Sequence, residues 1–236
     1  MHIEKVIIGS NDIDSSLRLR VSSFFKIVQD VIMHHTEELN VGTKETNEKG
    51  ILWVISRCLV EFYHLPNYQE EVICKTYPGE SKLNMIFPRY FQIEDQKGNV
   101  LIKLSSIWAL IDKENRHATS SSTIASRCLG EKHEGELPLP GKIDEIAANY
   151  RENRSIRYSD VDLNGHLNNT KYIELLLDLH DSGFYKEKPI KKLTLNYVKE
   201  IKEGEQVSIY NNVNNNQEFV KIEANGNTSF YALIEY

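Results

Sequence analysis

The feature that most constrains this chain is a change of hydrophobic period at Gly50. Before it, Val21, Phe24, Phe25, Val28, Val31, Ile32 and Leu39 fall at helical spacing, which predicts one amphipathic helix of about 19 residues. His34 and His35 lie on that helix, but adjacent helical positions point about 100° apart, so the pair does not form one ligand site. After Gly50 the period is two. Ile51, Trp53, Ile55 and Arg57 alternate with Leu52, Val54 and Ser56, and the strand character continues to Tyr63. Further strands are expected at 72–77, 85–94 and 100–112, with Lys97-Gly98-Asn99 turning the last pair. Residues 2–8 suit an opening strand, and Asn11 to Ser16 reads as a turn. A long helix beside an antiparallel meander gives an α+β class.

The same order recurs. Residues 154–159 are strand-like, a polar loop follows, and 169–180 reads as a helix. A second meander is expected at 192–199, 206–212, 218–224 and 229–236, with hairpin turns at Asn214-Asn215-Asn216 and Asn225-Gly226. Leu59-Val60-Glu61-Phe62-Tyr63 before Glu70-Glu71-Val72 matches Thr194-Leu195-Asn196-Tyr197-Val198 before Glu205-Gln206-Val207 at a constant offset. Each half is then a sheet wrapped on a central helix, and two such units can pair to lengthen the sheet. The expected division is 1–116, a connection at 117–150 marked by Ser/Thr-rich and Pro-rich chain, and 151–236.

The polar loop concentrates the chemistry. Arg157 to Asn169 carries Asp160, Asp162, Asn164, His166, Asn168 and Asn169 around a single Gly165, directly before the apolar run from Tyr172 to Leu179. Asp162, Asn164 and His166 alternate, so an extended segment points all three the same way. The loop opens a helix, whose first N–H groups and partial positive charge can assist carbonyl or oxyanion chemistry. Asn168 and Asn169 read first as helix caps.

Composition narrows the classes. Of 236 residues, 40% are hydrophobic and 26% charged, which suits a packed core. The formal net charge of −6 gives no sign of a nucleic-acid binder. Cys58, Cys74 and Cys128 are odd in number and follow no ligand spacing, so no metal is expected and a reducing compartment is. Met1-His2-Ile3-Glu4 reads without signal or transit character, and no run approaches the roughly 20 apolar residues of a membrane span. A cytoplasmic protein is the expectation.

These features together resemble the acyl-ACP thioesterase family of plants and bacteria. The resemblance runs over nearly the whole chain. It is carried by Leu17-Arg18-Leu19 to Gln29-Asp30, by Trp53-Val54-Ile55-Ser56-Arg57, and by Ser106-Ile107-Trp108-Ala109-Leu110-Ile111-Asp112 with Arg116. The most specific match is Asp160-Val161-Asp162-Leu163-Asn164-Gly165-His166-Leu167-Asn168-Asn169 with Lys171-Tyr172-Ile173. It implies a tandem double hotdog, an acyl-chain pocket in the first half and a catalytic segment in the second. It also implies catalytic roles for Asp162, Asn164, His166 and Glu200. Some plant members carry a Cys after that Glu. This chain has Ile201, which argues against a cysteine nucleophile.

Thioester hydrolysis needs an activated water and a polarised carbonyl. Asp162 can serve as base or attack directly, His166 is the other candidate base, Asn164 can donate to the carbonyl oxygen, and Glu200 can orient His166. An acyl chain needs a dry slot, for which Phe24, Phe25, Val28, Ile32, Trp53 and Ile55 are candidates, although each singly reads first as core. The acidic partner, acyl carrier protein, needs a basic face. Arg151, Arg154, Lys186, Lys188, Lys191 and Lys192 are the candidates, with Arg157, Lys199 and Lys202 nearby in sequence. The expected function is hydrolysis of fatty acyl-ACP to free fatty acid, ending chain elongation. An acyl-CoA thioesterase of hotdog type is the alternative, and a non-catalytic acyl-binding module a weaker one. No cofactor is implied, and a homodimer is left open.

Overall fold

A computed structural model describes residues 1–130 and 132–236; Glu131, within the expected connection, lies outside the described residues. The chain divides into two compact units, Met1–Pro140 and Gly141–Tyr236. The expected 117–150 connection is therefore shared between them. Ser105 Oγ donates to the Pro138 carbonyl at 2.7 Å, and Ile124, Ala125 and Cys128 pack with Val41, Phe87 and Leu110, so 117–140 belongs with the first unit.

The first unit holds β1 (His2–Ile7), α1 (Val21–Glu38), α2 (Thr43–Glu48), β2 (Ile51–Phe62), β3 (Glu71–Pro78), β4 (Ile86–Glu94), β5 (Val100–Asp112) and α3 (Ser122–Arg127). Its strands run antiparallel in the order β1-β3-β4-β5-β2. Helix α1 has no side-chain cap at Arg20; its apolar stripe holds it instead. Phe24 is fully buried and meets the rings of Phe62 and Phe91 edge-on at 5.5 and 6.0 Å. His34 and His35 face different sides. His34 Nδ1 meets Glu4 at 2.9 Å in solvent, whereas His35 is buried with Nδ1 3.0 Å from the Arg89 guanidinium.

The second unit holds β6 (Asn149–Ser155), a 3-10 turn (Tyr158–Asp160), α4 (Asn169–Leu177), α5 (Ser182–Glu187), β7 (Lys192–Tyr197), β8 (Gln206–Asn214), β9 (Gln217–Ala224) and β10 (Asn227–Glu235). Its antiparallel order is β7-β10-β9-β8-β6. Read from the opening strand, both units run first, third, fourth, fifth, second, so the repeat seen in sequence is a repeat of topology. Asn225 and Gly226 both take positive φ, the two-residue turn that matches the twist of a hairpin. Tyr172 on α4 packs on Phe230 of β10 at 4.9 Å and edge-on to Tyr197 of β7. The strand expected at 154–159 lies earlier, at β6, and gives way to the 3-10 turn.

Candidate active site

The loop between β6 and α4 is built on one carboxylate. Asp162 Oδ1 accepts from the backbone N–H of Asn164 at 2.8 Å and of His166 at 3.3 Å. The Asp162 N–H donates to the His166 carbonyl and the Gly165 N–H returns to the Asp162 carbonyl, at 2.8 and 3.0 Å. This closes a tight turn with Gly165 at φ +75°, a conformation that favours glycine. Val161 and Leu167 bridge across the base of the loop, and Leu167 is buried. Asp160 holds both shoulders: its carboxylate accepts from the Arg157 N–H at 3.0 Å and its carbonyl from the Asn168 N–H at 2.9 Å.

Two further contacts set the other wall. The Leu167 N–H donates to the Ile201 carbonyl at 2.7 Å, and His166 bridges Lys202. Glu200, immediately before that carbonyl, is thereby brought to the imidazole, with His166 Nε2 3.6 Å from Glu200 Oε2. The His166 side chain is largely covered, whereas the Asn164 residue is exposed. Glu205 fixes this wall by accepting the Lys202 N–H at 2.9 Å. Beneath it, burial first, and then the charges of Glu200, Glu205 and Asp162, push the Tyr172 phenol up. Three carboxylates thus stand near that phenol. An oxyanion there needs donors close at hand.

Helix α4 has two of its first N–H groups already engaged. Asn168 caps it, its Oδ1 accepting from the Thr170 N–H at 2.9 Å and its carbonyl from the Lys171 N–H at 2.8 Å. The exposed Asn164 amide is the donor the loop presents. Tyr158 and Leu163, on the loop, and Val198, just before Glu200, are exposed. A cleft of about 320 Å³ opens beside the loop, lined among others by Arg154, Arg157, Asp160, Leu167 and Lys171. Among the described residues no group of His, Cys, Asp and Glu forms a metal site.

The acyl-slot candidates fall into two apolar groups. Phe24, Phe25, Val28 and Ile32 are buried on α1. Trp53 is half-buried, meets Phe87 edge-on at 4.9 Å and donates Nε1–H to the Val41 carbonyl; Ile55 is half-buried opposite Trp108.

The basic candidates do not form one patch. Lys191 and Lys192 stand at the start of β7 and Glu200 beyond its end, and six strand residues span roughly 20 Å. Lys192 pairs with Glu235 at 3.6 Å, Lys191 and Lys188 donate to the Tyr236 and Asn215 carbonyls, and Lys186 is exposed on α5. Arg151 and Arg154 lie on β6, the opposite edge of this sheet. Register places Arg154 level with Val207, Ala224 and Asn227, the end where β7 runs out toward Glu200. Nearness along the chain is not nearness in space here.

Comparison with known proteins fits this geometry. The acyl-ACP thioesterase N-terminal domain model matches residues 1–123 and the C-terminal domain model residues 143–232. The chain is 26% identical over 211 residues, 82% of its length, to the chloroplastic palmitoyl-acyl carrier protein thioesterase of Arabidopsis thaliana, of which that covers 50%. It spans about half the length of the curated relatives it matches. An acyl-ACP thioesterase from Bacteroides thetaiotaomicron superposes with a TM-score of 0.88 at 24% identity, covering 99% of this chain and 96% of that one. The 12:0-ACP thioesterase of Umbellularia californica does so at 0.86 and 19%, covering 99% and 95%. The fold is the α+β hotdog fold of those structures, and with both family domains matched in order, the chain belongs to the acyl-ACP thioesterase family.

Proposed function

We propose that this chain hydrolyses the thioester of fatty acyl-ACP, releasing the free acid and ending elongation. The observation that carries it is the meeting of His166 and Glu200 at 3.6 Å over a loop that presents Asn164. With Nε2 turned to Glu200, the His166 Nδ1 takes a proton from water as the water oxygen attacks the carbonyl carbon. Glu200 holds the imidazole in that orientation. The Asn164 amide donates to the carbonyl oxygen as it gains charge. The tetrahedral intermediate collapses, the C–S bond breaks, and the thiolate leaves with its electron pair and takes from the imidazolium the proton that came from water.

The carrier docks, in this reading, on the β6 side, where Arg154, Arg157 and Lys171 line the cleft beside Asp160, Glu174 and Asp178. Attraction between that face and an acidic carrier weakens with salt. Unpaired Cys58, Cys74 and Cys128 support a reducing, cytoplasmic setting. Free-thiol release from acyl-ACPs and acyl-CoAs of varied chain length tests the reading. Turnover of acyl-ACP with kcat/KM falling as ionic strength rises is expected. Preference for acyl-CoA transfers the chain to the alternative substrate, and turnover of neither makes it a binding module.

A further inference from the structure

We propose that Tyr172 is a positioning residue for this reaction: its hydroxyl holds the backbone on both sides of Glu200 and so keeps that carboxylate at His166. The inference rests on the hydrolytic reading of the site. It comes from the contacts of the phenol and from a second copy of the loop in the first unit.

Tyr172 lies near the start of α4 and is 3% exposed. Its ring is fixed by Phe230 and Tyr197, at 4.9 and 5.5 Å. Its hydroxyl donates toward the Lys199 carbonyl at 3.5 Å. The Ile201 N–H donates to the same phenol oxygen. Those two backbone groups belong to the peptides that enter and leave Glu200. Burial, ahead of three nearby carboxylates, keeps the phenol protonated, so it can donate and accept at once. The Val198 and Lys199 N–H groups meet the Ser229 carbonyl, and the Ile201 carbonyl meets the Leu167 N–H. The phenol adds the contacts nearest Glu200 itself.

The first unit shows the same wall without the carboxylate. Between β1 and α1, Asp14 Oδ1 accepts from the backbone N–H of Ser16 and Arg18 at 2.7 and 3.3 Å, as Asp162 does from Asn164 and His166. Leu17 takes φ +59° where the second loop has Gly165. Ile13 bridges Leu19 as Val161 bridges Leu167. The Leu19 N–H donates to the Pro66 carbonyl at 2.7 Å, as Leu167 does to Ile201, and Glu70 holds the Asn67 N–H as Glu205 holds that of Lys202. These bonds set the register. Arg18 stands for His166, Leu65 for Glu200, Pro66 for Ile201, and Phe24 for Tyr172. The rings agree as well, since Phe24 meets Phe62 edge-on at 5.5 Å as Tyr172 meets Tyr197.

The hydroxyl is missing where the carboxylate is missing. Phe24 has no oxygen, and Pro66 has no N–H for one to accept. Filling the core at this place therefore needs only the ring. The hydroxyl comes together with Glu200 and with the N–H that follows it, and its contacts end on the two peptides of Glu200. Tyr172 thus acts through the carboxylate and not on the substrate.

Tyr172→Phe removes the oxygen and keeps a ring that the first unit accepts at the matching position. In the full chain, with circular dichroism confirming the fold, it is expected to lower kcat for acyl-ACP at least about fivefold. The KM should stay within about twofold, because the buried phenol offers the substrate no surface. Introduced into Glu200→Ala, the same change is expected to lower kcat no further, since the residue it acts through is gone. A smaller fall in the single variant, or an equal fall in both backgrounds, overturns the proposal and leaves Tyr172 a packing residue. Glu200→Ala alone separates the premise: undiminished turnover there refutes the part of Glu200 in hydrolysis whatever Tyr172→Phe does.

Discussion

The two units share strand order and loop, yet one buries an arginine and the other a glutamate. In the first unit Arg89 on β4 is 5% exposed, with its Nη1 3.0 Å from His35 Nδ1 and 3.3 Å from Thr76 Oγ1. In the second, Glu218 on β9 is fully buried and accepts from Asn211 Nδ2 and Tyr236 OH at 2.6 and 2.5 Å, with His180 Nε2 at 2.8 Å. The helices differ too, 18 residues in α1 against nine in α4. The features that agree satisfy backbone groups, which any copy of the fold must do. The features that differ are side chains facing the loop and the core. Chemistry is to be sought among the differences.

The largest effect should come from exchanging equivalent loop positions. His166→Ala is expected to lower kcat by ~10²–10⁴, the range for a lost acid–base group. Arg18→Ala, at the matching place, should leave kcat close to wild type. Equal losses in both would break the comparison and mean that both loops serve turnover.

The buried charges should separate next. Glu218→Ala leaves three polar partners without their acceptor and is expected to cost about 3–5 kcal/mol in a denaturant titration. Arg89→Met removes a buried cation for which the described residues supply no carboxylate, so its cost should be no more than about 1 kcal/mol. A larger loss for Arg89→Met than for Glu218→Ala would reverse the ranking.

A smaller effect follows from His35. Burial first, and then the Arg89 charge beside it, hold its pKa down at about 4. The N-terminal ammonium and His2 add to the lowering and Glu38 opposes it. Unfolded, this histidine binds a proton near pH 6.5; folded, only near 4, so stability is lost as pH falls through that window. The loss is at most about 3 kcal/mol. His35→Asn, which accepts from Arg89 without titrating, should flatten that part of the stability profile. An unchanged slope between pH 6.5 and 4 would remove His35 from it.

How much of this was legible in the sequence depended on length and on apolar contrast. Helix α1 and strands β2 and β5 were, because long runs of one period bury one face. The six-residue helices α2, α3 and α5 were not, being too short to show a period. Strand β6 was misplaced because Asn149-Tyr150-Arg151-Glu152-Asn153-Arg154-Ser155 is an exposed edge with no apolar alternation. At the site, the cluster of Asp162, Asn164 and His166 was legible, but the extended segment expected to point all three the same way is a tight turn closed on Asp162, with Asn164 exposed and His166 covered; Glu200 came only through family resemblance. The Asp14 loop read merely as a turn. Its backbone copies the second loop, but Ser16, Leu17 and Arg18 hide the likeness, and hydrogen bonds to a main chain leave no mark on residue identity.

The smallest effect expected is none, and it concerns the thiols. Cys58, Cys74 and Cys128 all belong to the first unit, whereas the loop, His166 and Glu200 belong to the second. All three are buried. Burial pushes the Cys74 thiol up to about 12 and raises those of Cys58 and Cys128. Arg89 pulls against burial at Cys128 without overcoming it. A reactive thiolate needs a lowered pKa and access, and none of the three has either. The residue after Glu200 is Ile201, fully buried, with its carbonyl occupied by the Leu167 N–H. The division between units therefore predicts that a folded chain with all three cysteines changed to Ala keeps most of its turnover. Iodoacetamide should inactivate the native protein slowly. Rapid, stoichiometric inactivation, with an acyl substrate protecting one cysteine, would move part of the chemistry into the first unit and end the separation of scaffold from site.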